Sequence, residues 1–240
     1  MKILGIDSSA NVGSVALIND RTVIGEYTIN NKKTHSQTLL PMIDELMRIT
    51  DTDKNSLDAI AIAKGPGSFT GLRIGGAVAK GLGLALKCPL LPVSTLEALA
   101  YNCYGTQSLI CPIMDARRGQ VYTALYSYKR NAAGSYETET VLADCAIAIE
   151  DIVEHINSIG RSVVFVGDGV NVFNEIINNT IKVRRDYVSS ANELMHASSV
   201  ALLAAERFEE CRMDAGDYEP VYLRLSQAER ERLEKNDDIS

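Results

Sequence analysis

The chain has 240 residues, 46% apolar and 23% charged, with a net charge of −7. That suffices for one large domain or two ordinary ones, and no apolar run reaches the roughly 18 residues of a membrane span. Residues 1–100 carry 10 Lys/Arg against 9 Asp/Glu, so the acidity lies in the remainder and argues against an autonomous nucleic-acid binder.

Met1-Lys2 leads straight into strand-like Ile3-Leu4-Gly5-Ile6, which predicts no signal peptide. Residues 2–7, Ser14–Ile18 and Thr22–Ile29 read as a β-meander, with a turn cluster from Asp7 to Gly13. Thr34-His-Ser-Gln37 matches a capping box, and Leu39, Leu40, Ile43, Leu46 and Met47 give a helical apolar face. Pro41 predicts a kink or the true first turn. Ser56–Ala63 reads as a strand, followed by a helix to about Leu86. Along that helix Gly71, Gly75, Ala79 and Gly83 recur every fourth residue on one face. Each interior glycine costs about 1 kcal/mol of helix stability against alanine, which implies close approach of another backbone. Two readings follow: packing inside the monomer, or a face reserved for another subunit. Leu90–Val93 is a short strand, and Ser94 N-caps a helix to about Tyr101.

A second block opens near Leu109. Ile110–Met114 and Val121–Tyr128 read as strands around the turn Asp115–Gln120, and Asn131–Ser135 as a hairpin loop. Ala148–Ile159, Val170–Asn178 and Glu193–Arg212 are predicted helices, and Val163–Val166 a strand ending in Gly167-Asp-Gly169. The domain reading is therefore 1–105, 106–225 and a charged, flexible tail at 226–240.

The candidate sites are few. Asp7, Ser8 and Ser9 end the first strand in a turn that can cradle phosphate or cap a hairpin. Gly167 and Gly169 can bring backbone close to an adenosine, although Asp168 repels phosphate. The Gly65–Gly71 loop is no Walker A, because five residues separate its glycines and Leu72-Arg73 follow. Asp115, Arg117 and Arg118 read as a solvated turn or an inter-subunit ion pair, and Arg73 as a partner for an acid. His35, His155 and His196 lack metal-ligand spacing, and no catalytic dyad or triad is evident. Five cysteines without a C-x-x-C pair point to a reducing, cytoplasmic setting.

Taken together, Ile3–Ser9, Thr34–Gln37 with Leu39–Met42, Lys64-Gly-Pro-Gly-Ser-Phe-Thr-Gly-Leu-Arg73, Pro92–Leu96, Asp115–Tyr122, Gly167–Gly169 and Pro220-Val-Tyr-Leu-Arg224 resemble the TsaB (YeaZ) family, in order and over nearly the whole chain. The resemblance implies an α/β actin/hexokinase/Hsp70-like (ASKHA) fold of two subdomains, each a mixed sheet flanked by helices. It implies a role in making tRNA N6-threonylcarbamoyladenosine beside the transferase TsaD and the ATPase TsaE. TsaD's metal-ligand histidines align with Thr95 and Leu99, which implies a non-catalytic paralogue. No cofactor is implied, with a nucleotide at a complex interface left open. The implied interface, for TsaD or a second copy, uses the two N-terminal-half helices: His35, Leu39, Met42, Ile43, Met47, Gly71, Arg73, Gly75, Ala79 and Gly83. Contact with tRNA is at most indirect, and no membrane is involved. The competing readings are an ATP-dependent phosphotransferase of the same fold, suggested by Asp7, and a peptidase, since relatives have carried the label glycoprotease.

Overall fold

The computed structural model describes residues 1–31, 33–132 and 134–224, so the expected tail at 226–240 lies outside the described residues. The chain forms two five-stranded mixed sheets. In the first, β1 (Lys2–Asp7), β2 (Gly13–Asn19) and β3 (Thr22–Ile29) make the antiparallel meander, and β4 (Ala59–Ala63) and β5 (Leu90–Val93) add in parallel beyond β1. The second repeats this plan. Strands β6 (Leu109–Asp115), β7 (Gln120–Arg130) and β8 (Tyr136–Ala148) form the meander, and β9 (Val163–Val166) and β10 (Arg185–Tyr187) lie parallel beyond β6.

Alternation along the strands assigns the faces. In β4 the sequence Ala-Ile-Ala-Ile-Ala sends Ile60 and Ile62 outward and the alanines inward. Ile60 and Ile62 join Leu4, Ile6, Val15 and Leu17 beneath α1 (His35–Ile49) and α2 (Phe69–Leu86). On the second sheet, α4 (Ile149–Ile159) and α5 (Gly169–Thr180) cover Leu109, Cys111, Val163 and Phe165 in the same way.

Between the sheets lie α3 (Thr95–Tyr101) and α6 (Ala197–Glu206). Here the halves exchange helices. Leu96, Leu99 and Ala100 of α3 pack on Ile110, Met114 and Tyr126 of the second sheet. Val200, Ala201 and Ala204 of α6 pack on Ile3, Ile18 and the β4 alanines of the first. A Cβ at Gly5 would overlap the Ala197 carbonyl oxygen, so that glycine sets how close α6 lies to β1. Residues 105 and 106 lie in the α3–β6 connection, and the two clusters between the sheets draw side chains from both sides of it.

Several local expectations change. Strand β4 starts at Ala59, after a 3-10 turn at Lys54–Ser56. Strands β8 and β10 were not anticipated. The predicted helix Glu193–Arg212 resolves into α6 and a single turn, α7 (Phe208–Cys211). Thr34 makes no side-chain cap to α1, its hydroxyl pairing with Ser36 at 2.9 Å instead. Pro41 sits inside an uninterrupted α1 on its exposed side. Ser94 does cap α3, accepting from the Glu97 amide at 3.3 Å.

Candidate functional site

The β1–β2 turn was the first candidate for holding phosphate. Asp7 forms an Asx turn there, with Oδ1 accepting from the Ser9 amide at 2.8 Å and the Ser9 hydroxyl at 2.6 Å. Burial pushes the Asp7 carboxyl up, against the pull of those two bonds. Asp7, Ser8 and Ser9 are all buried, because α2 presses on the turn. The Ser68 amide donates to the Ser9 carbonyl oxygen at 2.6 Å, and the Ser8 hydroxyl donates to the Gly71 carbonyl oxygen at 2.9 Å. A Cβ at Gly67 or Gly71 would overlap the Ser9 or Ser8 carbonyl oxygen, and one at Gly75 the Ser8 hydroxyl. Asp7, Ser8 and Ser9 are therefore packed against the chain's own helix.

The same facts correct the stripe. Gly71, Gly75, Ala79 and Gly83 face inward and are buried, Gly83 lying against Ala215 and Leu90. The close approach that the spacing implied is made inside the monomer. Leu39, Met42 and Ile43 are also core residues. Met47 is half-buried, and His35 bonds the Ala10 carbonyl oxygen through Nε2 at 2.8 Å, pinning the β1–β2 turn. Of the ten expected interface residues, Arg73 alone is exposed.

Gly167 and Gly169 follow the same logic in the second half. Gly167 has φ +114°, and a Cβ there would overlap the Ile113 carbonyl oxygen. A Cβ at Gly169 would lie 2.8 Å from the Ile113 side chain and 3.0 Å from the Asp115 amide. Both seat the β9–α5 junction on β6. Gly167→Ala is expected to cost about 3 kcal/mol or more, read as a lower urea midpoint. An unchanged midpoint would contradict this packing.

A cleft of about 530 Å³ separates the two turns. Its walls include Ser9, Asn11, Ser68 and Phe69 on one side and Asp115, Arg117, Tyr122 and Asp168 on the other. Burial and the neighbouring Asp115 push the Asp168 carboxyl up, and its Oδ1 is buried without a partner. Two carboxylates on one wall oppose a polyphosphate. Arg117 pairs with Asp115 at 3.2 Å, so this ion pair lies within the subunit. Among the described residues no group of three His, Cys, Asp or Glu side chains can hold a metal ion. Thr95 and Leu99, the positions aligned with TsaD's ligands, are buried at the inter-sheet helix.

The other candidate surface is the outer side of α1 and α2. With its glycines turned inward, α2 presents Thr70, Arg73, Ala77, Gly81, Leu84 and Ala85 to solvent, with Ile74, Val78 and Leu82 half-buried beside them. A Cβ at Gly81 would meet nothing within 4 Å. Leu84 is 59% and Leu40 of α1 52% exposed. A groove of about 680 Å³ runs between the helices, lined by Leu40, Ile43, Met47, Leu82 and Leu86 and by the charged Asp44, Arg48, Asp51, Asp53 and Lys54. This outer side of α2 is thus largely apolar, with Arg73 and the half-buried Lys80 as its charged residues.

Two mixed sheets of identical connectivity, with helices outside and between them and a cleft at their turns, define the actin/hexokinase/Hsp70-like fold. At the level of fold alone, the ethanolamine utilization protein EutJ of Carboxydothermus hydrogenoformans is similar, with a TM-score of 0.52 and 11% identity over 84% of this chain and 90% of that one. Residues 22–232 match the family model described as TsaD: tRNA N6-adenosine threonylcarbamoyltransferase. The chain is 37% identical to the Bacillus subtilis tRNA threonylcarbamoyladenosine biosynthesis protein TsaB, over 98% of this chain and 99% of that protein. A Pseudomonas aeruginosa protein described as similar to peptidase YEAZ superposes with a TM-score of 0.78 and 28% identity, over 93% and 99% of the two chains. The chain belongs to the TsaB (YeaZ) family.

Proposed function

We propose that this chain is a non-catalytic subunit of tRNA threonylcarbamoyladenosine biosynthesis, which binds and activates the transferase TsaD together with TsaE in the cytoplasm. The observation that carries the reading is the exposed strip of α2 from Ile74 to Ala85 beside Leu40 of α1. Ile74, Val78 and Leu82 turn part of their surface to the core beneath α2, whereas Ala77, Leu84 and Ala85, with Leu40 of α1, stay exposed. The family's part in threonylcarbamoyladenosine biosynthesis supports the choice of partner. A second copy of the chain can use the same strip when the transferase is absent. The close packing of α2 on the β1–β2 turn weighs against a phosphotransferase.

The test is reconstitution of tRNA threonylcarbamoylation from purified TsaD, TsaE and the synthase that makes the adenylate. Product formation is expected to require this chain and to survive Asp7→Asn in a folded protein. Full activity without the chain would refute the reading. Loss with Asp7→Asn would move the function to the cleft.

A further inference from the structure

The segment Tyr218–Arg224 runs from beneath α2 to the far wall of the cleft. Tyr218 is buried against Gly76. The Val221 amide donates to the Lys64 carbonyl oxygen at 2.7 Å, and the Val221 carbonyl oxygen fills the space a Cβ would take at Gly65. Tyr222 then stacks on Phe69, with ring centroids 4.6 Å apart, and its hydroxyl accepts from Arg73 Nε at 3.2 Å. The Arg73 guanidinium lies 3.9 Å over the Phe69 ring. Two residues on, Arg224 reaches the opposite turn and donates from Nη1 to the Ala116 carbonyl oxygen at 2.5 Å. Three sequence segments therefore meet at one place: Lys64–Arg73, Asp115–Tyr122 and Pro220–Arg224.

We propose that Tyr218–Arg224 is a clasp that sets the width of the cleft and is worked from the exposed face of α2 through Arg73. The coupling to α2 rests on the proposed pairing through that face; the clasp itself does not. The inner end is fixed, by a buried ring and a backbone hydrogen bond. The outer end rests at the surface on one stacked ring and on Arg224. Among the described residues no carboxylate pairs with Arg73, which is exposed, so its guanidinium has donors to offer. A partner carboxylate can take the guanidinium in a bidentate pair and draw it off Tyr222. Tyr222 and Arg224 are only two residues apart, at a bend of the chain, so a shift of the ring is felt at Ala116.

The test is the distance between nitroxide labels on the two walls, at Asn11→Cys and Val172→Cys, in a chain also carrying Cys103→Ser, Cys145→Ser and Cys211→Ser, read by pulsed electron paramagnetic resonance. Arg224→Ala is expected to lengthen and broaden the distances by several ångströms, and Arg224→Lys to give an intermediate distribution. Unchanged distances in a folded Arg224 variant overturn the clasp, whatever the partner does. Adding TsaD is expected to shift the wild-type distribution. Arg73→Ala, with the complex still eluting as one species, is expected to abolish that shift. A shift that persists in Arg73→Ala overturns the coupling. If no complex elutes at all, the proposed pairing fails, and the Arg224 variants still decide the clasp.

Discussion

Gly75→Leu is expected to unfold this protein, whereas Gly81→Leu, six residues along the same helix, is expected to fold normally and lose its partner. A side chain at Gly75 would enter the space of the Ser8 hydroxyl, beneath a turn that is itself buried. Neither α2 nor the β1–β2 turn can retreat, since Ser68 and Gly71 are hydrogen-bonded to Ser9 and Ser8. The expected loss exceeds about 4 kcal/mol, a large share of the stability of an ordinary domain. Gly81 faces open space, and leucine is the better helix former by up to about 1 kcal/mol. The monomer should therefore melt at or above the wild-type temperature while a bulky side chain stands in the apolar strip. Thermal melts with size-exclusion of the TsaD mixture read both effects. Pairing retained by a folded Gly81→Leu would remove the strip from the interface.

Glu26→Ala is expected to destabilise the protein by about 3 kcal/mol, although Glu26 touches no cleft or partner face. Its carboxylate replaces a local cap on α6. It accepts from the Ser198 amide at 2.9 Å and the Ser198 hydroxyl at 3.0 Å, and pairs with His196 Nδ1 at 3.2 Å. His196 itself makes no side-chain cap. Burial alone would raise the Glu26 carboxyl, yet the His196 and Ser198 hydrogen bonds hold it below the usual carboxylate value. His196 is held above the usual imidazole value, first by the Glu26 hydrogen bond. The signs follow by linkage. Glu26 contributes fully above its unfolded value of about 4.3, and the contribution fades as pH falls through the lower folded value. His196 contributes fully below about 6.5, and the contribution fades as pH rises through the higher folded value. Urea midpoints at pH 5.5 and 8.5 should thus separate wild type from His196→Gln clearly at the lower pH and little at the higher. Equal separation at both would mean that the imidazole acts without its charge.

Much of the fold was legible because it is local. The strand at β4, the Asp7–Gly13 turn and the N-cap Ser94 depend on residues close in sequence. Strand β8 was missed because it lies at a sheet edge with no fully buried face, so its sequence carries no run of core residues. Strand β10 has three residues, too few for any period. For the site, the four-residue spacing of small residues correctly demanded a close neighbour. It carried no sign of which neighbour, because the Ser8–Ser9 turn lies some sixty residues upstream. Arg73 with Tyr222, and Glu26 with His196, are pairings across 149 and 170 residues that composition does not reveal.

The exchange of α3 and α6 between the sheets has a consequence for how the protein is made. When residue 105 leaves the ribosome, the first sheet has every strand and both outer helices, but its inner face awaits α6, which begins at Ala197. At ordinary rates of synthesis that wait is roughly 5–20 s. For that interval the nascent chain shows Ile3, Ile18 and Val93 to solvent, as a client for chaperones. A gene truncated anywhere before α6 should therefore yield aggregates rather than a working half.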